Sequence, residues 1–116
     1  MVRSLKNREF GKVYQQGKSK ADDCLVLYIL ENGTDVKHLG ITVSKKIGNS
    51  VVRSRVKRII KEAWRMQEPF LADGYDYVWI ARASAKEKKS TEIEISIQRL
   101  ARKFRLYRGT EGKKGV

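Results

Sequence analysis

Residues 45–65 constrain the fold most strongly, because one predicted helix there carries both an apolar stripe and most of the chain's excess positive charge. Apolar residues recur at i, i+4, i+7, i+8 and i+11, the spacing of a helix with one core-facing side. Asn49 or Ser50 can cap this helix, which is predicted to end near Gln67. The stripe consists of Val52, Val56, Ile59, Ile60 and Ala63.

The charge of this segment predicts a polyanionic partner. It contains eight basic residues and one acid, Glu62, so it holds +7 of the net charge of +13 carried by the 116 residues. Arg53, Lys57 and Lys61 recur at i, i+4 and i+8 and therefore stack along one side of the helix. Like charges at this spacing destabilise a helix slightly, and a solvated helix face usually mixes both signs. A nucleic acid is therefore favoured over a membrane surface.

The part of the chain before this helix is predicted to form one short helix and two strands. Ser4 or Asn7 can cap the short helix, and Gly17 can close it. Residues 24–30 are apolar on both faces, which indicates a buried strand. Residues 38–44 alternate between apolar and polar side chains. A short polar turn separates the two strands, so the sequence predicts that they pair as a hairpin.

A strand and a helix follow the basic helix. Residues 75–82 alternate as a strand, and a final helix is predicted to begin near Thr91, where Glu94 would complete a capping box. The order α-β-β-α-β-α predicts an α+β fold, a small two-layer sandwich. No linker divides the chain, so we predict a single domain over 1–108 and a flexible basic tail over 109–116.

Composition argues against membrane, secreted and ordinary enzymatic proteins. The chain is 41% hydrophobic and has 9 Gly, which together give roughly 49%, as is usual for a globular domain. It contains no apolar run of the ~18 residues that a membrane span needs. The N-terminus lacks the apolar stretch of a signal peptide. Cys24 is the single cysteine, which predicts a reducing, cytoplasmic location. With His38 as the single histidine, a zinc site or a Cys–His nucleophile has too few residues.

Two further features are compatible with binding to RNA. The backbone N–H groups of residues 48–50 lie at a predicted helix N-terminus, which attracts phosphate. Phe10 and Tyr14 lie one helical turn apart, and Tyr28 lies in a predicted strand. Such rings either fill the core or, when exposed beside a basic groove, stack on single-stranded bases of any sequence. The sequence leaves both interpretations open.

Other polar and aromatic residues have simpler interpretations. His38 lies on the polar face of its strand, where we expect it to be solvated or hydrogen-bonded. Cys24 is expected to be a small buried hydrophobic residue on the face that also carries Tyr28. Trp64 and Trp79 are assigned to packing.

Residues 44–64 resemble the signature of the bacterial ribonuclease P protein subunit. They begin Ser-Lys-Lys-Ile-Gly-Asn-Ser-Val-Val-Arg-Ser-Arg-Val-Lys-Arg. The family usually has Gly-Asn-Ala-Val followed by Arg-Asn-Arg, so Ser50 replaces the usual Ala and Ser54 the usual Asn, while both arginines are retained. The resemblance covers roughly residues 5–107, with further matches at 5–14, 39–44 and 77–82.

The resemblance implies both a fold and a function. The implied fold has a left-handed β-α-β crossover around the basic helix. The implied function is that of the protein component of a ribonucleoprotein endoribonuclease, in which a large RNA subunit uses Mg²⁺ to cleave precursor tRNA and form its mature 5′ end. The protein would bind that RNA, one protein to one RNA, and would contact the single-stranded 5′ leader in a cleft between its first helix and its sheet. It would supply no catalytic residue, metal ligand or organic cofactor.

Matching by position assigns residues to these two contacts. Those matched to the RNA-subunit contact are Arg53, Arg55, Lys45, Lys46, Asn49 and Arg58. Those matched to the leader cleft are Phe10, Tyr14, Tyr28, Lys57 and Lys61.

Three alternatives have similar sequence requirements. A structural RNA-binding protein, such as a ribosomal protein, would lack the leader cleft. A nuclease with its own active site would cleave RNA without an RNA partner. A DNA-binding module would place the basic helix in a major groove.

Overall fold

A mixed five-stranded sheet organises residues 2–108, the part of the chain that the computed structural model describes. The predicted tail at 109–116 lies outside the described residues. The strands are β1 (Val2–Ser4), β2 (Lys18–Ala21), β3 (Leu25–Glu31), β4 (Lys37–Thr42) and β5 (Tyr75–Ala81). The helices are α1 (Asn7–Gln16), α2 (Ser50–Gln67) and α3 (Ser90–Lys103), with short 3₁₀ turns at Glu68–Phe70 and Ala83–Glu87. The predicted α+β class is confirmed.

The strand order is β1-β4-β5-β3-β2, and the predicted hairpin between β3 and β4 is wrong. β5 lies between them, antiparallel to β3 and parallel to β4, so that Asp76 faces Leu30 on one side and His38 on the other. None of the residues of β5 is exposed. A strand that is buried on both faces belongs at the centre of a sheet, and the central position of β5 separates β3 from β4.

The β4–α2–β5 unit is a crossover between parallel neighbouring strands, as the resemblance implies, and its left-handed sense stays a prediction. The Asn49 side chain accepts a hydrogen bond from the Val52 backbone N–H at 3.0 Å, which confirms the predicted cap. The predicted stripe faces the core, with Val52 half-buried at its start. α2 and α3 together cover one face of the sheet, where the buried strand residues include Leu25, Leu27, Ile29, Tyr77 and Trp79.

α1 lies on the other face of the sheet and adds a third, partial layer to the two predicted ones. Val13 is fully buried there with Leu5 and Val78. Gly40 permits this close approach, because a Cβ atom at that position would lie 2.5 Å from the ring of Phe10. Among the helices of residues 2–108, not one is both long enough and apolar enough to cross a membrane.

The start of α1 differs from the prediction. Lys6, not Ser4 or Asn7, is the N-cap, and its backbone N–H donates to the Glu9 carboxylate at 2.7 Å. An acidic side chain in the first turn therefore satisfies the N-terminus in place of a Ser or Asn cap.

The start of α3 is also shifted. The helix begins one residue before Thr91, and Glu92 accepts a hydrogen bond from the Lys89 backbone N–H at 3.0 Å. Glu94 does not close the capping box; instead it accepts a hydrogen bond from Gln67 Nε2 at 2.5 Å. The apolar residues Ile93, Ile97, Leu100 and Ala101 of α3 are buried, at the spacing of one helix face.

Two short edge strands and one residue orientation were not predicted. β1 is three residues long, and every residue of β2 is exposed, so neither shows a clear apolar pattern. Cys24 is buried, as expected, but under α2 and α3 and not on the face of Tyr28. The Asp22 carboxylate accepts from the backbone N–H groups of Cys24 and Leu25, both at 2.9 Å. Cys24 therefore belongs to the turn before β3, and the alternation of side chains between the two faces of that strand does not apply to it.

Candidate nucleic-acid interface

The N-terminal end of α2 and the loop before it form an exposed positively charged area, here called the basic surface. Its members are Lys45, Lys46, Asn49, Arg53, Arg55 and Arg58, of which Arg53 is half-buried and the others are exposed. Buried Ile47 anchors the loop, and its backbone N–H donates to the Ser44 carbonyl at 3.0 Å. A shallow depression of about 460 Å³ lies over the first turns of α2 and includes Arg55 and Arg58 in its walls.

Two of the three arginines matched to the RNA contact, Arg53 and Arg55, are held in place by backbone carbonyl groups. Arg53 Nε donates to the Gly48 carbonyl at 3.2 Å, and Arg55 Nη1 donates to the Lys86 carbonyl at 2.9 Å. Neither forms an ion pair with a carboxylate within residues 2–108. Their guanidinium groups are thus positioned while their charge remains available to an external anion.

The N-terminus of α2 adds to this positive potential. Its first turn contains no acidic residue, whereas α1 and α3 carry Glu9 and Glu92 in theirs. A helix N-terminus without an acidic side chain keeps the full positive end of its dipole. The geometry therefore favours binding of a phosphate group beside Asn49.

Phe10, Tyr14 and Tyr28 lie together on the α1 side of the sheet and are here called the aromatic face. The ring centroids are 6.3 Å apart for Phe10 and Tyr14 and 5.1 Å apart for Tyr14 and Tyr28. Phe10 and Tyr28 are half-buried against the cluster around Val78, and Tyr14 is 39% exposed. Each ring is thus fixed by packing on one side and accessible on the other, so the rings fill part of the core, while stacking on single-stranded bases stays a prediction.

The aromatic face adjoins the basic surface at the end of β4. The Tyr14 hydroxyl is hydrogen-bonded to Thr42 Oγ1 at 3.1 Å, and Thr42 is the last residue of that strand. Lys45 follows three residues later, a span of at most about 11 Å. Tyr14 and Lys45, the first residue of the basic surface, therefore lie near the same end of β4.

Lys57 and Lys61 are exposed on α2 and are not brought into contact with the aromatic face. α2 packs against the face of β5 that carries Tyr77 and Trp79, whereas the aromatic face surrounds Val78 on the opposite side. Their assignment to the same cleft as the three rings stays a prediction. Periodicity placed these lysines correctly along one side of a helix but could not show which face of the sheet that helix covers.

A cluster of charges that the sequence did not reveal surrounds Lys37. This side chain is 1% exposed, and its ammonium lies 3.0 Å from Glu68 and 2.8 Å from Asp73, which also pairs with Arg108 at 2.7 Å. The hydrogen bond from Lys37 holds the pKa of Asp73 below its usual value. The cluster ties β4 to the segments that follow α2 and α3, which indicates a structural role.

His38, Asp76 and Asn32 form a smaller polar cluster. His38 Nδ1 lies 2.7 Å from Asp76 Oδ1, and Asn32 Nδ2 donates to the same oxygen at 3.0 Å. The predicted hydrogen-bonded role of His38 is confirmed. Within residues 2–108, no group of three or more His, Cys, Asp or Glu side chains is arranged to hold a metal ion.

Comparison with known proteins identifies the family. The sequence model of the ribonuclease P protein family, described as Ribonuclease P, matches residues 2–105. The chain is 48% identical over 101 residues to the ribonuclease P protein component of Alkaliphilus metalliredigens, covering 87% of this chain and 91% of that one. It is 45% identical over 110 residues to the corresponding protein of Clostridium kluyveri, covering 93% and 98%.

Solved structures agree with the sequence comparison. The ribonuclease P protein of Staphylococcus aureus superposes with a TM-score of 0.82 at 31% identity, covering 92% of this chain and 99% of that one. The protein from Thermotoga maritima superposes with a TM-score of 0.79 at 26% identity, covering 87% and 96%. The described fold is thus shared, and the chain belongs to the ribonuclease P protein family.

Proposed function

We propose that this protein binds the ribonuclease P RNA and the 5′ leader of precursor tRNA, and so assists the endonucleolytic removal of that leader. The observation that carries the proposal is the pair Arg53 and Arg55, held by backbone carbonyls with no carboxylate partner in the described chain. Family membership supplies the identity of the RNA.

The basic surface is proposed to contact the RNA subunit. Guanidinium groups match the geometry of phosphate oxygens and donate two hydrogen bonds at once. Lys45 and Lys46 add point charges beside the N-terminus of α2. Ser54, exposed between the two arginines, is shorter than the usual Asn and presents a hydroxyl to the RNA in place of an amide.

The aromatic face is proposed to bind the leader. Partly exposed rings stack on bases without selecting a sequence, which suits a surface that must accept many different leaders. Lys57 and Lys61 would neutralise leader or RNA-subunit phosphates that pass beyond the basic surface along α2.

Catalysis is proposed to belong to the RNA subunit, which would also bind the Mg²⁺ ions. The protein would supply fixed positive charges that reduce the repulsion between neighbouring RNA phosphates, and would thereby lower the Mg²⁺ concentration that the active RNA fold requires. We propose one protein per RNA subunit, acting in the cytoplasm.

Cleavage of a leader-bearing precursor tRNA at low Mg²⁺ tests the proposal. The reaction is run with ribonuclease P RNA alone, with the protein alone and with both, and we expect efficient cleavage only with both. Cleavage by the protein alone would identify a nuclease with its own active site. Tight RNA binding without any enhancement of cleavage would identify a structural RNA-binding protein.

A further inference from the structure

A second group of positive charges lies where β2 meets the C-terminal end of α3. Lys18 and Lys20 alternate along β2 and therefore share one face, about 7 Å apart. They pair in register with Ile29 and Leu27, so they lie on the face that α2 and α3 cover. The Lys20 ammonium is 5.4 Å from the centroid of the Phe104 ring, which brings the β2 lysines beside the end of α3. We call Lys18, Lys20, Lys103, Phe104 and Arg105 the edge surface.

Arg105 occupies a backbone position at which glycine is the usual residue. Its φ is 57°, in the left-handed region. Its backbone N–H donates to the Arg102 carbonyl, and that of buried Leu106 donates to the Ala101 carbonyl, both at 3.0 Å. This is the Schellman pattern that ends a helix, and glycine adopts it without steric cost. The other positive-φ positions in residues 2–108 are Gly33 and Gly74, so Arg105 is the one non-glycine residue of the described chain that adopts this conformation.

The charges of the edge surface are not neutralised within the described chain. Two arginines near them are ion-paired, Arg99 with Asp22 at 2.8 Å and Arg108 with Asp73 at 2.7 Å. Lys18, Lys20, Lys103 and Arg105 form no ion pair with a carboxylate of residues 2–108. A cation in the last turn of a helix is stabilised by the helix dipole, which accounts for Lys103 but not for the two lysines on β2.

A cavity of about 360 Å³ opens beside these charges. Its lining includes the half-buried aromatic residues Phe104 and Tyr75, together with Lys18, Gln16 and Glu31. The volume is at the lower end of the range for ligand-binding cavities. Aromatic rings beside cations are the combination that binds single-stranded nucleic acid, in which a base stacks and its phosphate is neutralised.

The edge surface and the basic surface lie at opposite ends of the helical layer. Arg55, near the start of α2, bonds to Lys86 ahead of α3, whereas the segments that follow α2 and α3 meet where the Ala72 backbone N–H donates to the Leu106 carbonyl at 2.7 Å. The 18 residues of α2 separate the two ends by about 27 Å.

We propose that the edge surface is a second RNA-binding site, which takes a single-stranded nucleotide with its base in the cavity and its phosphates on Lys18, Lys20 and Arg105. The proposal rests on the proposed function and extends it, because two sites at opposite ends of α2 hold RNA at two points. Both ribonuclease P RNA and a longer leader offer the same phosphate and base chemistry, and the experiment distinguishes them.

The test compares two double variants that remove the same number of positive charges. Lys20→Gln/Arg105→Gly acts on the edge surface, and Arg99→Gln/Arg108→Gln, the matched control, acts on charges that carboxylates already neutralise. Binding is measured across a salt series with two probes: ribonuclease P RNA alone, and precursor tRNAs with short and long leaders presented to the assembled holoenzyme.

We expect the edge variant to weaken binding about tenfold in one of the two arms and to lower the slope of log K against log salt by about two, with the control close to wild type. Loss with ribonuclease P RNA identifies that RNA as the ligand, and loss confined to long leaders identifies the leader. Unchanged affinity in both arms, or an equal loss in the control, would overturn the proposal.

The single variant Arg105→Gly separates binding from folding. Removing a left-handed non-glycine residue should raise the melting temperature, whereas the proposal requires weaker RNA binding in the same protein. A higher melting temperature with unchanged affinity would refute a role for Arg105. If wild-type protein stimulates cleavage while the edge variants bind as wild type, the second site fails and the proposed function stands.

Discussion

Aromatic residues occur on both faces of the sheet, but they are buried to different extents on the two faces. Under α2 and α3, Trp64, Tyr77 and Trp79 are almost completely buried, with centroid distances of 5.0 Å and 6.0 Å from Trp64 to the other two. Under α1, the rings of the aromatic face remain partly accessible. The difference follows from the covering helices, because the 10 residues of α1 shield far less of the sheet than the 32 residues of α2 and α3. One face therefore supplies stability, and the other can present rings to a ligand.

The largest expected effect is a loss of stability from a substitution on the sheet face that α2 and α3 cover. Trp79→Ala should lower the free energy of unfolding by about 3–5 kcal/mol, because it leaves a large cavity in the core. Urea denaturation measures this loss, and Tyr14→Ala on the accessible face is the comparison, with an expected loss well below that of Trp79→Ala.

Trp79→Phe keeps the experiment informative where the alanine variant fails to fold. Trp79 Nε1 is buried and has no hydrogen-bond partner in the described structure, so phenylalanine removes an unsatisfied donor together with some volume. Its loss should be smaller than that of the alanine variant. Equal destabilisation by Trp79→Ala and Tyr14→Ala would contradict the assignment of stability to one face.

The next effect concerns assembly with RNA. Arg53→Gln/Arg55→Gln should weaken binding to ribonuclease P RNA on the order of a hundredfold, because each change removes a charge-assisted contact to phosphate. For wild type, six or more neutralised phosphates should lower affinity about a thousandfold between 50 and 200 mM salt. Filter binding across a salt series measures both quantities, and a flat salt response would rule out the electrostatic account.

A smaller effect should appear on the accessible face. Phe10→Ala/Tyr14→Ala should weaken holoenzyme binding of leader-bearing precursor tRNA about tenfold, since stacking on one base contributes about 1–3 kcal/mol. Binding of leaderless tRNA and of the RNA subunit should be nearly unchanged. Tyr14→Phe is the matched control, because it keeps the ring and removes only the hydrogen bond to Thr42. A loss of RNA-subunit assembly equal to that of the arginine variant would remove the distinction between the two surfaces.

The smallest effect is on pH dependence. Because the pKa of Asp73 is lowered in the folded protein, first by the hydrogen bond from Lys37, its contribution to stability is present above its unfolded pKa of about 3.9. That contribution is lost as the pH falls further, through the folded pKa. Asp73→Asn should therefore flatten the stability curve below about pH 4, as measured by thermal unfolding from neutral to acidic pH. An acid limb identical to that of wild type would contradict this role.

Local sequence predicted much of this fold because several of its signals act over a few residues. The cap at Asn49, the buried stripe of α2 and the alternation of β5 depend on contacts within one or two turns or on strand geometry. β2 was missed, because a strand of exposed residues is defined by its pairing with β3. The hairpin was wrong, because β5, more than 30 residues after β4 in the chain, pairs with both β3 and β4 and so lies between them.

The features of the candidate site likewise separate into those that local sequence determines and those that depend on tertiary contacts. By themselves, the residues of the sequence determined the charge of the basic helix and its periodic placement, since both follow from composition and helical geometry. The tertiary structure alone decided that α2 lies on the face opposite Phe10, Tyr14 and Tyr28, that Arg53 and Arg55 bond to carbonyls, and that Lys18 and Lys20 meet the end of α3. Apart from the bond of Arg53 to Gly48, five residues earlier, these are contacts between segments far apart in the chain. Their free energy depends on how whole layers pack, which no local pattern of side chains encodes.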